Sequence, residues 1–359
     1  MSSRQSTNDI ISIRDCAKLI YDSNKNIKVI NIKSQIWYKY NNTIKLWQKL
    51  SHNEIAMYVK KQLDIMNSIQ KENNVPRNFH INVSSAVASN VASELMLMCY
   101  DSKFGEQLDV VKHKLPLKNN KVINLKTEIV SERTIDDMFT YELDVEYTYQ
   151  KTNNAINFLN KLMGNDQTKI KELQKCLGYC ITGEYTNANI FAFVNNSNNI
   201  LMSMLYTILN NIFDKKITVS NKLLKSFEYK NKHLAICITS EDKYKNKTDL
   251  FNFLNFFTDT GMIYGRELFS EMVQFRLKCK PIFLVDTNTK DMIDKENTDF
   301  IEKQRLYGRS PVPKYNVTYI EFNDNQDSCY DLRISDELLS EIFTWIAHGS
   351  IMWYREKRI

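Results

Sequence analysis

The residues that most often hold metals or perform nucleophilic chemistry are present but dispersed. Seven cysteines stand at positions 16, 99, 176, 180, 237, 279 and 329, and five histidines at 52, 80, 113, 233 and 348. Neither a C-x-x-C pair nor a Cys/His cluster of zinc-ligand spacing occurs, so no metal site is expected. Cys176 and Cys180 fall one helical turn apart, yet two thiols without partners close no coordination sphere, and reduced core thiols are the expected state. No histidine has the neighbours of a triad. The densest run of one charge is Lys215, Lys216, Lys222, Lys225, Lys230 and Lys232. It could follow a nucleic-acid backbone, although such runs are more often a solvated face.

Glycine is scarce. Eight glycines in 359 residues fall well below the usual share of about 7%, and none lies between Gly183 and Gly261. A phosphate-cradling loop in that interval would be built without the residue that best tolerates the required backbone angles.

The remaining composition is that of a folded protein. A hydrophobic fraction of 43% with 25% charged residues suits a globular chain long enough for two domains. The net charge of +6 mildly favours polyanions. No stretch approaches the apolar length of a membrane span, and Met1-Ser-Ser-Arg-Gln-Ser-Thr7 lacks an apolar signal core, so a soluble, intracellular protein with no membrane partner is expected.

The elements that must position any chemistry follow from periodicity. Ile36–Tyr40 and Ile44–Trp47 read as strands around a polar turn at Asn41-Asn42. Ser51 with Glu54 forms a capping-box signature, followed by Ile55, Val59 and Leu63 at helical spacing. A helix is predicted over Ala86–Met98, a strand-turn-strand over Leu115–Thr127 with Asn119-Asn120 as the turn, and helices over Ala155–Met163 and Ile170–Cys180. Then short apolar strands, Ile190–Val194, Leu234–Ile238, Pro281–Val285 and Val317–Phe322, alternate with helical stretches. That alternation predicts an α/β layer with a central, mostly parallel sheet. The domain boundary is expected near residues 150–185.

Read in order, these segments resemble the poxvirus-type helicase-primases, a family of superfamily 3 helicases with an AAA+ motor. In the amino-terminal part the resemblance rests on Leu117–Thr127, Asp137-Met-Phe-Thr140, Phe158-Leu159 and Leu173-Gln-Lys-Cys-Leu-Gly-Tyr-Cys-Ile-Thr-Gly183. In the carboxyl-terminal part it rests on Phe191–Val194, His233–Glu241, Thr258–Phe269, Pro281–Asn288 and Ser340–Gly349. It implies an α/β, AAA+-like P-loop core after a smaller α+β accessory domain. The division would be residues 1–150 for the accessory domain, 151–185 for a helical connector and 186–359 for the motor.

The resemblance also locates the departures. A working loop reads G-x-x-x-x-G-K-[ST], in which Lys meets the phosphates and the hydroxyl holds magnesium. The corresponding stretch is Val194-Asn195-Asn196-Ser197-Asn198-Asn199-Ile200-Leu201: both glycines, the lysine and the hydroxyl are replaced. The loop is therefore expected to be vestigial, and the ATP and Mg2+ of the family are expected to be unused. Glu241 would be the Walker B acid and Asn288 the sensor, both vestigial, and a polar residue at a strand end is the simpler explanation of each. Tyr264 and Arg266 would lie on the central-channel hairpin and, with Lys222 and Lys225, contact nucleic acid; plain packing explains the Tyr264 and Arg266 pair equally well. Arg309 and Lys314 are loose counterparts of a trans-acting finger. Trp345, Trp353 and Tyr354 suit a core or a subunit surface.

By resemblance the chain is expected to be a non-hydrolysing, DNA-binding or assembly component of a viral or plasmid replication machinery. DNA, single- or double-stranded, other replication or viral proteins, and further copies or an active paralogue in a ring are the implied partners. If viral, it would work in the host cytoplasm or at the viral replication site. A residual or subunit-complemented ATPase or DNA helicase is the alternative, and a scaffold for protein or RNA outside replication is the third reading.

Overall fold

The computed structural model describes residues 11–73, 81, 83–149, 153–185, 189–195, 200–217, 236–240, 247–255, 257, 262–265, 272–276, 279–322 and 334–356. The chain is mixed α/β and divides into two compact units, Met1–Leu108 with Thr134–Thr140, and Asp109–Arg133 with Tyr141–Ile359.

In the first unit, α1 (Ile13–Ser23), α2 (His52–Glu72) and α3 (Ser85–Met98) accompany an antiparallel sheet of β1 (Ile27–Asn31), β2 (Ile36–Asn41) and β3 (Leu46–Leu50), in that order. The Ser51 capping box forms as its spacing predicts: Ser51 Oγ accepts from the Glu54 amide at 3.3 Å, and Glu54 Oε2 accepts from the Ser51 amide at 2.7 Å. Ile55, Val59 and Leu63, four residues apart, form the buried stripe of α2, against Trp37 and the α3 residues Val91 and Leu95. The strand expected over Ile44–Trp47 begins two residues later. Asn41 Oδ1 accepts from the amides of Thr43 and Ile44 at 2.9 and 3.3 Å, and Lys45 turns to φ 51°, so the turn takes up residues 42–45.

The second unit opens with an antiparallel sheet of β4 (Lys114–Leu117), β5 (Lys121–Asn124) and β6 (Val130–Glu132). Asn119 and Asn120 make its first turn with φ of 60° and 58°, the left-handed pair that a tight hairpin requires and asparagine tolerates. Two helices follow, α4 (Asn153–Leu162) and α5 (Gln167–Cys180). The chain then runs through β7 (Asn189–Val194), α6 (Ile200–Ile217), β8 (Ile236–Ser240), α7 (Lys247–Asn255), the hairpin β9 (Met262–Gly265) and β10 (Val273–Arg276), β11 (Lys280–Val285), α8 (Thr287–Leu306), β12 (Asn316–Glu321) and α9 (Asp336–Glu356).

The predicted parallel sheet is present, in the order β12-β7-β11-β8. Both its faces are covered, which explains why its strands read as unbroken apolar runs rather than alternating ones. Phe191, Phe193, Ile282 and Ile320 face a core that includes α5, α6 and α9 residues. Ile190, Ala192, Val194, Phe283 and Val285 pack instead with Leu250, Leu254 and Phe257 and with Ile293 of α8. Trp345 and Trp353 are core residues of α9. The six described cysteines are buried free thiols; Cys329 and His80 and His233 lie outside the described residues. Among the described residues, no group of three potential ligands gathers for a metal, and no helix is long and apolar enough to cross a membrane.

Candidate functional site at the carboxyl edge of the parallel sheet

The strand register brings several of the sequence-selected residues to one edge. Val194, the last residue of β7, pairs with Val285 of β11 and Glu321 of β12, and Leu284 pairs with Ser240 at the end of β8. The four strands therefore finish together. β7 is the first of them in the chain yet lies inside the sheet. Its connection leads toward β8, whereas that of β11 leads back past β7 to β12. In open α/β sheets ligands bind outside the carboxyl ends of strands where the connections diverge in this way.

The first residue beyond β7 still belongs to the sheet: the Asn195 amide donates to Val285 O at 3.0 Å, and the Phe322 amide donates to Val194 O at 3.0 Å. Asn196, Ser197, Asn198 and Asn199 lie outside the described residues. Helix α6 then begins at Ile200. Leu201, in its first turn, is 5% exposed and belongs to the core formed with Leu205, Ile208 and Phe213. Leu201 thus contributes packing, not a polar group, at the start of α6.

Beyond β11 the chain turns directly into α8. Asp286 is its N-cap, with Oδ1 accepting from the Thr289 amide at 2.7 Å, which satisfies one of the amides a helix start leaves open. Asn288 is exposed in the first turn and donates from Nδ2 to Asp286 Oδ2 at 3.3 Å. Its amide is turned to a neighbouring carboxylate. Glu241, which follows β8 in the chain, lies outside the described residues, as do Lys222, Lys225 and Arg266. Tyr264 lies on β9 opposite Gln274 of β10, and both side chains are exposed, Tyr264 to 63%. The register of the hairpin thus presents one aromatic ring to solvent.

The family resemblance implies a nucleotide and magnesium at this edge. Asn195, Asp286, Thr287, Asn288 and Phe322 bring no cation to the edge, and Leu201 is apolar and buried. These residues do not fit a magnesium triphosphate, whose binding depends on a cation and a metal-ligating hydroxyl.

A charged group that the sequence pattern did not single out lies at the opposite end of β11. Lys280 is 2% exposed, and its Nζ donates to Tyr179 O at 3.1 Å and to Cys180 O at 3.4 Å, and also to Thr182 O. It thereby closes the carboxyl end of α5, where a helix leaves carbonyls unpaired and favours a cation. The Tyr179 ring lies beneath the same ammonium, 4.6 Å away. Burial pushes the Lys280 amine down to about 8, against the pull of Cys180, Cys279 and Glu184. The only sequence signal was a lysine at the head of the apolar run Pro281–Val285.

The fold defines the class: a mixed α/β protein with a wholly parallel four-stranded sheet in its second unit. Residues 17–177, just under half of the chain, match the protein family described as D5 N terminal like. Among solved structures, the chain is similar to two apo structures of the NrS-1 C terminal region. The A form is 11% identical, with a TM-score of 0.45, and the other is 12% identical, with a TM-score of 0.46. Each similarity covers 94% of this chain and 68% of the other. No curated protein matches the chain.

Proposed function

We propose that the chain is a catalytically degenerate relative of the superfamily 3 helicases, a non-hydrolysing DNA-binding or assembly component of a replication machinery. The observation that carries this reading is Leu201. It stands where phosphoryl transfer needs a hydroxyl on magnesium, and it is built into the core of the second unit. The preceding Ile200 stands where the phosphates need a lysine. In this reading those two positions no longer supply the cation and the metal-ligating hydroxyl that stabilise a transferring phosphoryl group.

Two further features support the lineage. The D5 N terminal like match lies on the segment that resembles the accessory region preceding the motor. The order of the parallel sheet, with connections that diverge at the ends of β7 and β11, supports the reading because open α/β sheets bind ligands at such points. In this reading residues 1–150 are the accessory domain, 151–185 a connector and 186–359 the degenerate AAA+ domain. The exposed ring of Tyr264 on its hairpin is the proposed stacking contact for single-stranded DNA, and the assembly is built from copies of this chain or from an active paralogue.

The test is Mg-ATP turnover by the purified full chain, measured beside its mass in solution. No turnover is expected. Turnover that disappears in Glu241→Gln would restore the enzyme reading.

A further inference from the structure

The end of α8 and the segment returning from it form an exposed, apolar and cationic knob. Leu306 is 83% exposed, Tyr307 78% and Val312 53%, while Lys303, Arg305 and Arg309 are exposed around them. The knob is ordered by its own bonds. Gly308 at φ +65° ends the helix, and the Arg309 and Val312 amides donate to Gln304 O and Oε1, each at 2.9 Å. Farther along, Asn297 clamps Tyr315 through Oδ1 at 2.8 Å and Nδ2 at 3.1 Å, and Lys314 pairs with Glu296 at 2.9 Å. Leu306, Tyr307 and Val312 are thus three large apolar side chains left in water on a hydrogen-bonded support. A preorganised support also lowers the entropy lost on docking.

The same unit carries a surface of opposite character. A cavity of about 580 Å³ is bordered by Asp144, Glu146, Asp336 and Glu337, with the tyrosine rings of Tyr147 and Tyr149 at its side. Among the described lining residues the one lysine, Lys118, is already engaged by Asp144 at 3.1 Å. The exposure of Leu306 and Tyr307 means that the knob does not occupy this cavity in its own chain.

We infer that the α8 knob docks into the acidic cavity of a second copy of the chain. Tyr307 and Leu306 enter beside Tyr147 and Tyr149, and Arg305 and Arg309 meet the rim carboxylates. Charge complementarity selects this occupant, and the exposed aliphatic groups distinguish it from a nucleic acid, whose phosphates would use the cations and leave Leu306 and Val312 in water. Knob and cavity are different patches, so the contact is head-to-tail, and repeating it makes a ring or a filament. The inference deepens the assembly part of the proposed function and rests on it.

The experiment is sedimentation of the full chain over a range of concentration and salt, with two charge-reversed variants, Arg305→Glu/Arg309→Glu and Asp144→Lys/Glu337→Lys. All four side chains are exposed, and circular dichroism checks that each variant folds. The wild type is expected to associate, more weakly at high salt. Each variant alone should associate at least tenfold more weakly, and an equimolar mixture should recover assembly, because each reversed patch then meets its complement. Association that neither variant changes, or that mixing does not recover, overturns the knob contact and leaves self-assembly standing. A wild type that remains monomeric throughout overturns both. Loss of DNA binding in the knob variant, from a wild type that stays monomeric, assigns the knob to nucleic acid instead.

Discussion

Gly178 of α5 and Gly349 of α9 meet backbone to backbone. A methyl group at Gly178 would lie 2.1 Å from the Gly349 carbonyl carbon, and one at Gly349 would lie 1.9 Å from Gln174 O. Both obstacles are main-chain atoms, so no side-chain rotation relieves them. Gln174 Nε2 fastens the same crossing by donating to Trp345 O at 2.8 Å. Two fragments that carried the family resemblance, the Leu-Gly-Tyr step and Ser340–Gly349 of α9, are thus two halves of one contact.

Gly178→Ala and Gly349→Ala should therefore each destabilise the second unit by about 3 kcal/mol or more, at the upper end of the usual overpacking cost. Urea denaturation monitored by tryptophan fluorescence would report it, since Trp345 and Trp353 are on α9. A loss below about 0.5 kcal/mol would mean that the helices do not cross this closely.

Lys280 predicts a dependence of stability on pH. Its folded value of about 8 lies below its ordinary 10.5. Between these values the unfolded chain binds a proton that the folded chain releases, so the Lys280 contribution is lowest below pH 8 and rises toward pH 10.5. The difference in unfolding free energy between wild type and Lys280→Met, measured from pH 7 to 10.5, should shift steadily in favour of the wild type. A flat difference would contradict the assignment.

Glu341 is a carboxylate only 6% exposed on α9. It accepts from the Ala155 amide at 2.9 Å and from Asn154 Nδ2 at 3.0 Å, closing the amino end of α4. Glu341→Ala leaves the Ala155 amide buried without its acceptor and should cost about 1–3 kcal/mol. Glu341→Gln keeps an acceptor oxygen and should cost less, and thermal melts of both variants give the order directly.

Tyr264 makes the nucleic-acid prediction of the proposed function. Tyr264→Ala should weaken binding to single-stranded DNA by about 1–3 kcal/mol, the range for a base stacked on an aromatic ring. It should leave the salt dependence of binding unchanged, because that slope counts phosphate contacts. Fluorescence anisotropy at several salt concentrations separates the two effects. An altered slope with unchanged affinity at low salt would exclude stacking.

Local order was legible in the residues themselves. Ser51 with Glu54 and Asn119 with Asn120 specify a cap and a turn through bonds that span a few residues. The apolar runs at Ile190–Val194 and Pro281–Val285 marked strands covered on both faces. The absence of lysine and hydroxyl at Ile200 and Leu201 was likewise readable, because motif chemistry depends on side-chain type. The tertiary structure alone decided which strand ends coincide, that Leu201 is a core residue, and that Asn288 turns its amide to Asp286. It alone showed Lys280 closing a helix that ends a hundred residues earlier in the chain, and Gly178 facing Gly349. These relationships join positions far apart in sequence, and the packing of helices against the sheet sets them. No local periodicity records such a meeting, whereas the energetics of each cap, turn and apolar run are complete within its own segment.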